Sequence, residues 1–166
     1  MWPLPRLIRA LDPLADLALV AALYREAADF WILSDRKPPD LAKAQAFFTD
    51  GPPGCDSAAA HRLGLFDATE LVGVAELSFG FPEPADGYLG LMLFAPRARG
   101  RGHGPVFLAE IERLARTRDC PRLCLAVLQE NARARAFWEG QGFRGTGVSR
   151  FDDETGHWVH RLAKDL

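Results

Sequence analysis

The sequence has few cysteines, no long apolar run and no surplus of positive charge. Its 166 residues include three cysteines, Cys55, Cys120 and Cys124, with no C-x-x-C pair among them. An odd number of cysteines without that spacing favours neither a disulfide framework nor a zinc site, and we predict no metal site. The 20 lysines and arginines stand against 22 aspartates and glutamates, a formal net charge of −2. This balance argues against a general nucleic-acid-binding protein, which would normally be basic.

The sequence also lacks the segments that direct a protein into or across a membrane. No apolar stretch approaches the roughly 18 to 20 residues that a membrane span requires. The N-terminal segment Met1 to Pro5 has no apolar signal-peptide core. We therefore predict a cytoplasmic protein that does not bind a membrane. The composition, 48% hydrophobic and 25% charged residues, is that of a globular protein. The sequence shows no linker or internal repeat, so we predict one domain over residues 1–166.

The hydrophobic pattern predicts a succession of helices and strands. Helices are predicted from Asp12 to Trp31, with Leu14 on the buried face, from Asp40 to Phe48, after residue 104, and at residues 131–141, where Asn131 can be the N-cap. Strands are predicted at residues 6–10, 61–66, 71–79, 88–94, 123–128, 144–151 and 157–162. The order β-α-α-β-β-β-α-β-α-β-β predicts an α/β fold with a central mixed sheet and helices on its faces. Residues 88–128 would form a right-handed parallel crossover.

One loop concentrates positive charge and glycine. Residues 97–104 read RARGRGHG and lie between a predicted strand and a predicted helix. Glycine permits the conformations that turn successive N–H groups inward, and a helix N-terminus adds unpaired donors, so this loop is predicted to bind phosphate. Neither the dinucleotide motif G-x-G-x-x-G, which Pro105 interrupts, nor the nucleotide-triphosphate motif G-x-x-x-x-G-K-[ST] is present.

Two motifs carry a resemblance to a known family. Arg99, Gly102 and Gly104 form the pattern R-x-x-G-x-G, and residues 131–143 read N-x-x-A-x-x-F-W-x-x-x-G-F. In these motifs and their order the chain resembles the GNAT superfamily of N-acetyltransferases. The resemblance implies a mostly antiparallel sheet in which the strands on either side of the loop splay apart to hold acetyl-coenzyme A (acetyl-CoA). The residues that it implies as cofactor ligands are Met92, Leu93, Phe94, Arg99, Gly100, Arg101, Gly102, His103, Gly104, Asn131, Phe137 and Trp138.

The resemblance also implies a reaction, the direct transfer of an acetyl group to a primary amine of a small molecule or peptide. An amine with a pKa near 10.4 is mostly protonated at neutral pH, so attack requires a base. We predict Glu76 as this base, because a carboxylate inside an otherwise apolar strand needs a reason, and Tyr88 as the weaker candidate. A backbone N–H near Leu93 is implied to stabilise the developing oxyanion. Trp138 occupies the position where many family members place a tyrosine that protonates the departing thiolate, and tryptophan cannot do so.

The resemblance implies that the front helices and the closing hairpin of residues 144–162 build the acceptor side. An aromatic pair beside carboxylates can receive a cation, and the predicted acceptor residues are Tyr24, Asp29, Phe30 and Trp31. The family resemblance makes a homodimer plausible. Two other functions stay open, a non-catalytic acyl-CoA-binding sensor or structural partner of the same fold, and a nucleic-acid-binding module built on the arginine loop. The second lacks an extended basic face.

Overall fold

A computed structural model describes residues 5–166. Residues 1–4 belong to the N-terminal segment that was expected to lack a signal-peptide core, and they lie outside the described residues. The strands are β1 (Arg6–Ala10), β2 (His61–Asp67), β3 (Glu70–Phe79), β4 (Gly87–Phe94), β5 (Arg122–Leu128), β6 (Arg144–Asp152) and β7 (His157–Asp165). The helices are α1 (Leu17–Glu26), α2 (Ala28–Asp35), α3 (Leu41–Ala46), α4 (His103–Thr117) and α5 (Ala132–Gly140). Over residues 5–166, no helix has the length and apolar character needed to cross a membrane.

The strands form one mixed sheet in the order β1-β2-β3-β4-β5-β7-β6. Every neighbouring pair is antiparallel except β4 and β5, which run parallel and are connected through α4. In the interior strand β3, every residue from Leu71 to Ser78 is buried. Successive side chains of a strand point to opposite faces, so both faces of the sheet are covered there. The predicted α/β fold with a mixed, mostly antiparallel sheet is confirmed.

The two parallel strands separate soon after they meet. Gly87 lies opposite Leu123 and Tyr88 opposite Cys124, and these are the two paired positions between β4 and β5. On its other side β4 stays paired with β3 as far as Phe94. In the described part of the chain, the edge of β4 beyond Tyr88 therefore faces a gap in the sheet, as the family resemblance implied.

The front of the chain differs from the prediction in how its first helix begins. The stripe from Leu14 to Trp31 forms two helices, α1 and α2, that are interrupted at Ala27. Asp12 caps only a turn, because its carboxylate accepts the N–H of Leu14 at 2.9 Å and of Ala15 at 2.6 Å. Leu14 is 90% exposed, so its predicted place on a buried helical face is wrong.

Asp16 joins β1 to the start of α1. Its carboxylate accepts two hydrogen bonds from Arg9, at 2.9 and 3.0 Å, and one from the N–H of Asp12 at 2.7 Å. The hydrogen bonds from Arg9, followed by the backbone bond, lower the pKa of Asp16 from 3.8 to about 2. A carboxylate whose pKa is lower in the folded state contributes stability above its unfolded-state pKa, and this contribution is lost as the pH falls.

We expect Asp16→Asn to lower the free energy of unfolding at pH 7 by about 1 to 2 kcal/mol. The difference from the wild type should shrink between about pH 5 and pH 2, because both proteins then carry an uncharged group at position 16. Urea unfolding at a series of pH values measures it. Asp153→Asn, which changes an exposed aspartate of the β6–β7 turn, is the control. A deficit that is constant from pH 7 to pH 2 would contradict the role given to the Arg9–Asp16 pair.

Candidate active site

The loop between β4 and α4 is shaped to receive an anion. Gly100 and Gly102 have φ values of +73° and +79°, a region that glycine adopts without strain, and Gly102 is the N-cap of α4. Among residues 5–166, no backbone or side-chain acceptor pairs with the N–H groups of residues 100–104. Unpaired amides at a helix N-terminus bind phosphate and other anions. Pro105, in the first turn of α4, has no N–H to add.

Gly104 lets α4 approach α5 closely. A Cβ atom at Gly104 would lie 2.9 Å from the ring of Phe137, which is tighter than ordinary contact. Phe137 packs edge-on against Trp138, with ring centroids 4.9 Å apart, and Trp138 packs against Phe143 at 5.4 Å. Trp138 is buried in this cluster with 8% exposure and belongs to the core, and its predicted contact with the cofactor stays a prediction. Burial of its apolar ring between α5 and the sheet is more favourable in free energy than exposure of the ring to solvent.

Two of the three arginines of the loop, Arg97 and Arg99, are paired with carboxylates. Arg99 donates to both carboxylate oxygens of Asp29, at 2.6 and 3.2 Å, and to the carbonyl of Phe94 at 3.2 Å. Arg97 pairs with Glu26 and Glu70 at 2.9 and 2.7 Å. Both guanidinium groups thus fasten the loop to its neighbours. Arg99, predicted as a cofactor ligand, and Asp29, predicted as an acceptor residue, neutralise each other in this structure.

Arg101 and Arg6 make no salt bridge within residues 5–166, which leaves their charge available to an anion. Arg6 lies on β1 and donates to the carbonyl of Arg101 at 3.1 Å. Arg6 was not among the predicted ligands, because nothing near residue 6 indicates that the first strand approaches a loop 95 residues away.

His103 and Asn131 both have structural roles beside the loop. The His103 ring is 3% exposed and stacks on Phe94, with centroids 6.3 Å apart. Burial lowers its pKa, so the ring is neutral at neutral pH, and only its backbone N–H faces the anion nest. Asn131 accepts the N–H of Ala134 at 3.1 Å and is the N-cap of α5, as its position in the motif suggested.

The open edge of β4 presents alternate backbone groups to the gap. Ala95 donates its N–H to the carbonyl of Val72 at 2.9 Å, which fixes the alternation along the β3–β4 pair. By that alternation Leu93 pairs with β3, whereas Met92 and Phe94 turn their N–H and C=O groups toward the gap. The Arg99 bond to the Phe94 carbonyl agrees with this direction. Of the backbone N–H groups next to Leu93, those of Met92 and Phe94 face the gap, and the oxyanion donor predicted there stays a prediction.

A β-bulge places Glu76 at the mouth of this gap. Glu76 lies opposite Leu91 and Leu77 opposite Leu89, so Gly90 is the extra residue in β4. A Cβ atom at Gly90 would collide with Oε2 of Glu76. Only glycine at this position leaves room for the carboxylate. A lone glycine inside a predicted strand is a known signal of a bulge, so a bulge at Gly90 could have been predicted from the sequence.

Glu76 is a buried carboxylate with a cation beside it. The residue is 5% exposed, accepts a hydrogen bond from the Ser78 hydroxyl, and lies 3.8 Å from Nη1 of Arg62. Burial raises its pKa, and the Ser78 bond and Arg62 only partly oppose this. Arg62 is itself buried and held by the carbonyls of Phe47 and Asp50. A buried carboxylate with a raised pKa is typical of catalytic bases, which agrees with the prediction for Glu76.

Glu76 opens onto a cavity of about 900 Å³. Of the predicted acceptor residues, Tyr24, Phe30 and Trp31 line this cavity, as does Tyr88, whereas Asp29 does not. Burial raises the pKa of Tyr88, so its phenol stays protonated at neutral pH and can donate a proton but not act as a base. This favours a proton donor over the predicted weaker candidate for the base, and a catalytic role of Tyr88 stays a prediction.

The predicted cation pocket is already filled by the chain's own lysine. Lys43 lies over the ring of Trp31, with Nζ 4.6 Å from the centroid, and pairs with Asp35 at 2.8 Å. The predicted pocket needed free carboxylates beside an open aromatic face. Asp35 and Asp29 are both paired in this structure, so neither is a free carboxylate beside that ring, and the acceptor role of the aromatic residues stays a prediction.

The comparisons with known proteins agree with this geometry. The model of the acetyltransferase (GNAT) family matches residues 20–143 of the chain. Among curated protein sequences there is no significant match.

Solved structures match over the full length. An acetyltransferase from Thermus thermophilus is 26% identical, with a TM-score of 0.75, and the match covers 100% of both chains. The ribosomal-protein-alanine N-acetyltransferase from Brucella melitensis is 24% identical, with a TM-score of 0.75 over 96% of this chain and 99% of that one. The PaiA N-acetyltransferase from Thermoplasma acidophilum, solved with coenzyme A, is 17% identical, with a TM-score of 0.71 over 98% and 100%.

The family model covers most of the chain, and the splayed strands and glycine loop lie within its bounds. This chain belongs to the GNAT acetyltransferase family, and it is an acyltransferase that uses acetyl-CoA.

Proposed function

We propose that this protein transfers the acetyl group of acetyl-CoA to a primary amine of a small molecule or peptide, by direct attack in the cavity at Glu76. One observation supports the proposal above the others. A buried carboxylate stands opposite a bulge in β4, beside the open strand edge and its Met92 N–H.

The chain's own residues fit coenzyme A. The N–H groups of residues 100–104 would hold the pyrophosphate, and Arg101 and Arg6 would balance its charge. The open groups of Met92 and Phe94 would bond the amides of the pantetheine arm, which satisfies backbone that would otherwise be unpaired. Phe137 lies against Gly104 of the loop, and Asn131 is the N-cap of α5; both stay predicted ligands. When bound, acetyl-CoA supplies the acetyl group as a thioester.

Three groups of the chain then have distinct chemical tasks. Glu76 accepts the proton that the ammonium must lose before it can attack. The N–H of Met92 donates to the carbonyl oxygen on which negative charge develops. Tyr88, which keeps its proton, can donate to the departing sulfur. Coenzyme A, whose thiol has a pKa of about 8.5, also leaves tolerably without an acid.

A thiol-release assay tests the proposal. Purified protein with acetyl-CoA is offered amines, amino acids, polyamines, aminoglycosides and peptides with free N-termini. We expect free thiol to appear only when a suitable amine is present. Tight binding of acetyl-CoA without amine-dependent release would contradict the proposed activity. A cytoplasmic location and a homodimer stay predictions, which cell fractionation and sedimentation would check.

The anion nest can be tested with Gly102→Glu. The new carboxylate enters the nest, so we expect the Kd for acetyl-CoA to rise at least about tenfold. Isothermal titration calorimetry measures it. Gly156→Glu is the matched control, because Gly156 also has a positive φ (+77°) but lies in the β6–β7 turn. Equal losses of affinity in the two variants would point to backbone strain and against the nest.

The role of Glu76 can be tested with Glu76→Gln. A base works only when ionised, so wild-type kcat/KM should fall as the pH drops through an inflection above the ordinary glutamate value of 4.5. The variant should lose about a hundredfold or more in rate and should lack this inflection. The inflection of the amine itself, at higher pH, should remain in both proteins. A pH profile that is unchanged in the variant would place the base elsewhere.

Gly90→Ala displaces the Glu76 carboxylate without removing it. The added methyl group meets only the end of a flexible side chain, so we expect a folded protein. We expect kcat to fall about ten- to hundredfold, with the KM for acetyl-CoA unchanged. Gly140→Ala, where a Cβ would meet nothing within 4 Å, is the control. Full activity in Gly90→Ala would show that the reaction does not depend on the position of Glu76.

A further inference from the structure

The charge of the acceptor cavity is unbalanced. Its lining includes four basic side chains, Lys43, Arg62, Arg150 and Arg161, against two carboxylates, Asp50 and Glu76. Lys43 is already paired with Asp35 and Arg62 with Glu76, so the surplus charge is that of Arg150 and Arg161. A cavity with a surplus of positive charge repels a polycation and attracts an acceptor that carries an anion.

The charges are also divided between two sides. Glu76 and Asp50 lie on the side of Arg62, which is 3.8 Å from the Glu76 carboxylate and donates to the Asp50 carbonyl. Arg150 and Arg161 lie on the opposite side, on β6 and β7. Within residues 5–166 neither of these two arginines makes a salt bridge, although most other arginines near the site do.

Arg161 is held in position by an aromatic ring. Its guanidinium carbon lies 5.1 Å from the centroid of Phe81, and Phe81 packs edge-on against Tyr88 at 5.1 Å. Arg161 is half-buried, so its charge is only partly hydrated. A guanidinium that is already oriented binds a carboxylate with less loss of side-chain entropy.

We infer that the acceptor is a free α-amino acid, whose carboxylate binds Arg150 and Arg161 while its amino group faces Glu76. This inference rests on the proposed function and names its acceptor class. Glu76 takes the cationic end of the zwitterion, and the two arginines take the anionic end. The aromatic wall of Phe30, Trp31, Phe47 and Phe81 suits an apolar side chain. It also replaces the cation pocket that the sequence predicted.

Calorimetric titration in the presence of coenzyme A tests the inference independently of turnover. The probes are L-phenylalanine and L-leucine, each compared with its amide, and 2-phenylethylamine, which lacks the carboxylate. We expect each amino acid to bind at least about tenfold more tightly than its amide. Arg161→Gln, and more fully the double variant with Arg150→Gln, should bring this ratio close to one. Arg144→Gln, an exposed arginine of β6 outside the cavity, should leave it unchanged.

The outcomes separate this inference from the proposed function. Equal binding of acids and amides, no binding of either amino acid, or a ratio that survives in the double variant would overturn the acceptor class. Thiol release with the amides as readily as with the acids would do the same and would leave the acetyltransferase activity standing. Selective binding of the amino acids without thiol release would overturn the proposed activity and support the acceptor class.

Discussion

The separation of β4 from β5 is the constraint on which the rest of the site depends. Two parallel strands that pair at Gly87 and Tyr88 and then diverge leave backbone donors and acceptors without partners at the centre of a sheet. Unpaired backbone groups are unfavourable unless solvent or a ligand satisfies them. An extended ligand with amide groups can fill the gap as a strand would, and the glycine loop at the end of β4 is placed to hold the charged end of such a ligand.

The same strand also positions the candidate base. Because Gly90 is an extra residue in β4, the strand bulges and leaves space for the Glu76 carboxylate on the neighbouring strand. A buried carboxylate is unfavourable by itself, and Arg62 and Ser78 lessen that cost without removing the rise in its pKa. The position of Glu76 therefore trades some stability for a carboxylate whose pKa lies above its ordinary value. The buried guanidinium of Arg62 is bound mostly to backbone carbonyls, so it stabilises the segment before β2 as well as the carboxylate.

The electrostatics of the loop depend on which partners its arginines meet, and residue type alone does not reveal those partners. Arg99 and Arg101 were both predicted as cofactor ligands, but Arg99, like Arg97, is bound to carboxylates of neighbouring elements. The charge that remains available comes from Arg101 and from Arg6, the latter on the first strand. The front helices thus fasten the cofactor loop, and the unpaired positive charge in the cavity lining comes from β6 and β7, the closing hairpin. Tyr24, Phe30 and Trp31 contribute an apolar wall.

The sequence by itself determined the element order, the glycine loop, the capping of α5 by Asn131 and the presence of a carboxylate within an apolar strand. Each of these follows from local rules of hydrophobic period, backbone freedom at glycine and capping. Only the tertiary structure decided which carboxylate each arginine meets, that Trp138 lies in the core, that the α1–α2 stripe breaks at Ala27, and that Arg150 and Arg161 face the cavity. These outcomes depend on contacts between segments that are far apart in the sequence. Neither residue spacing nor composition determines which distant segments pack together.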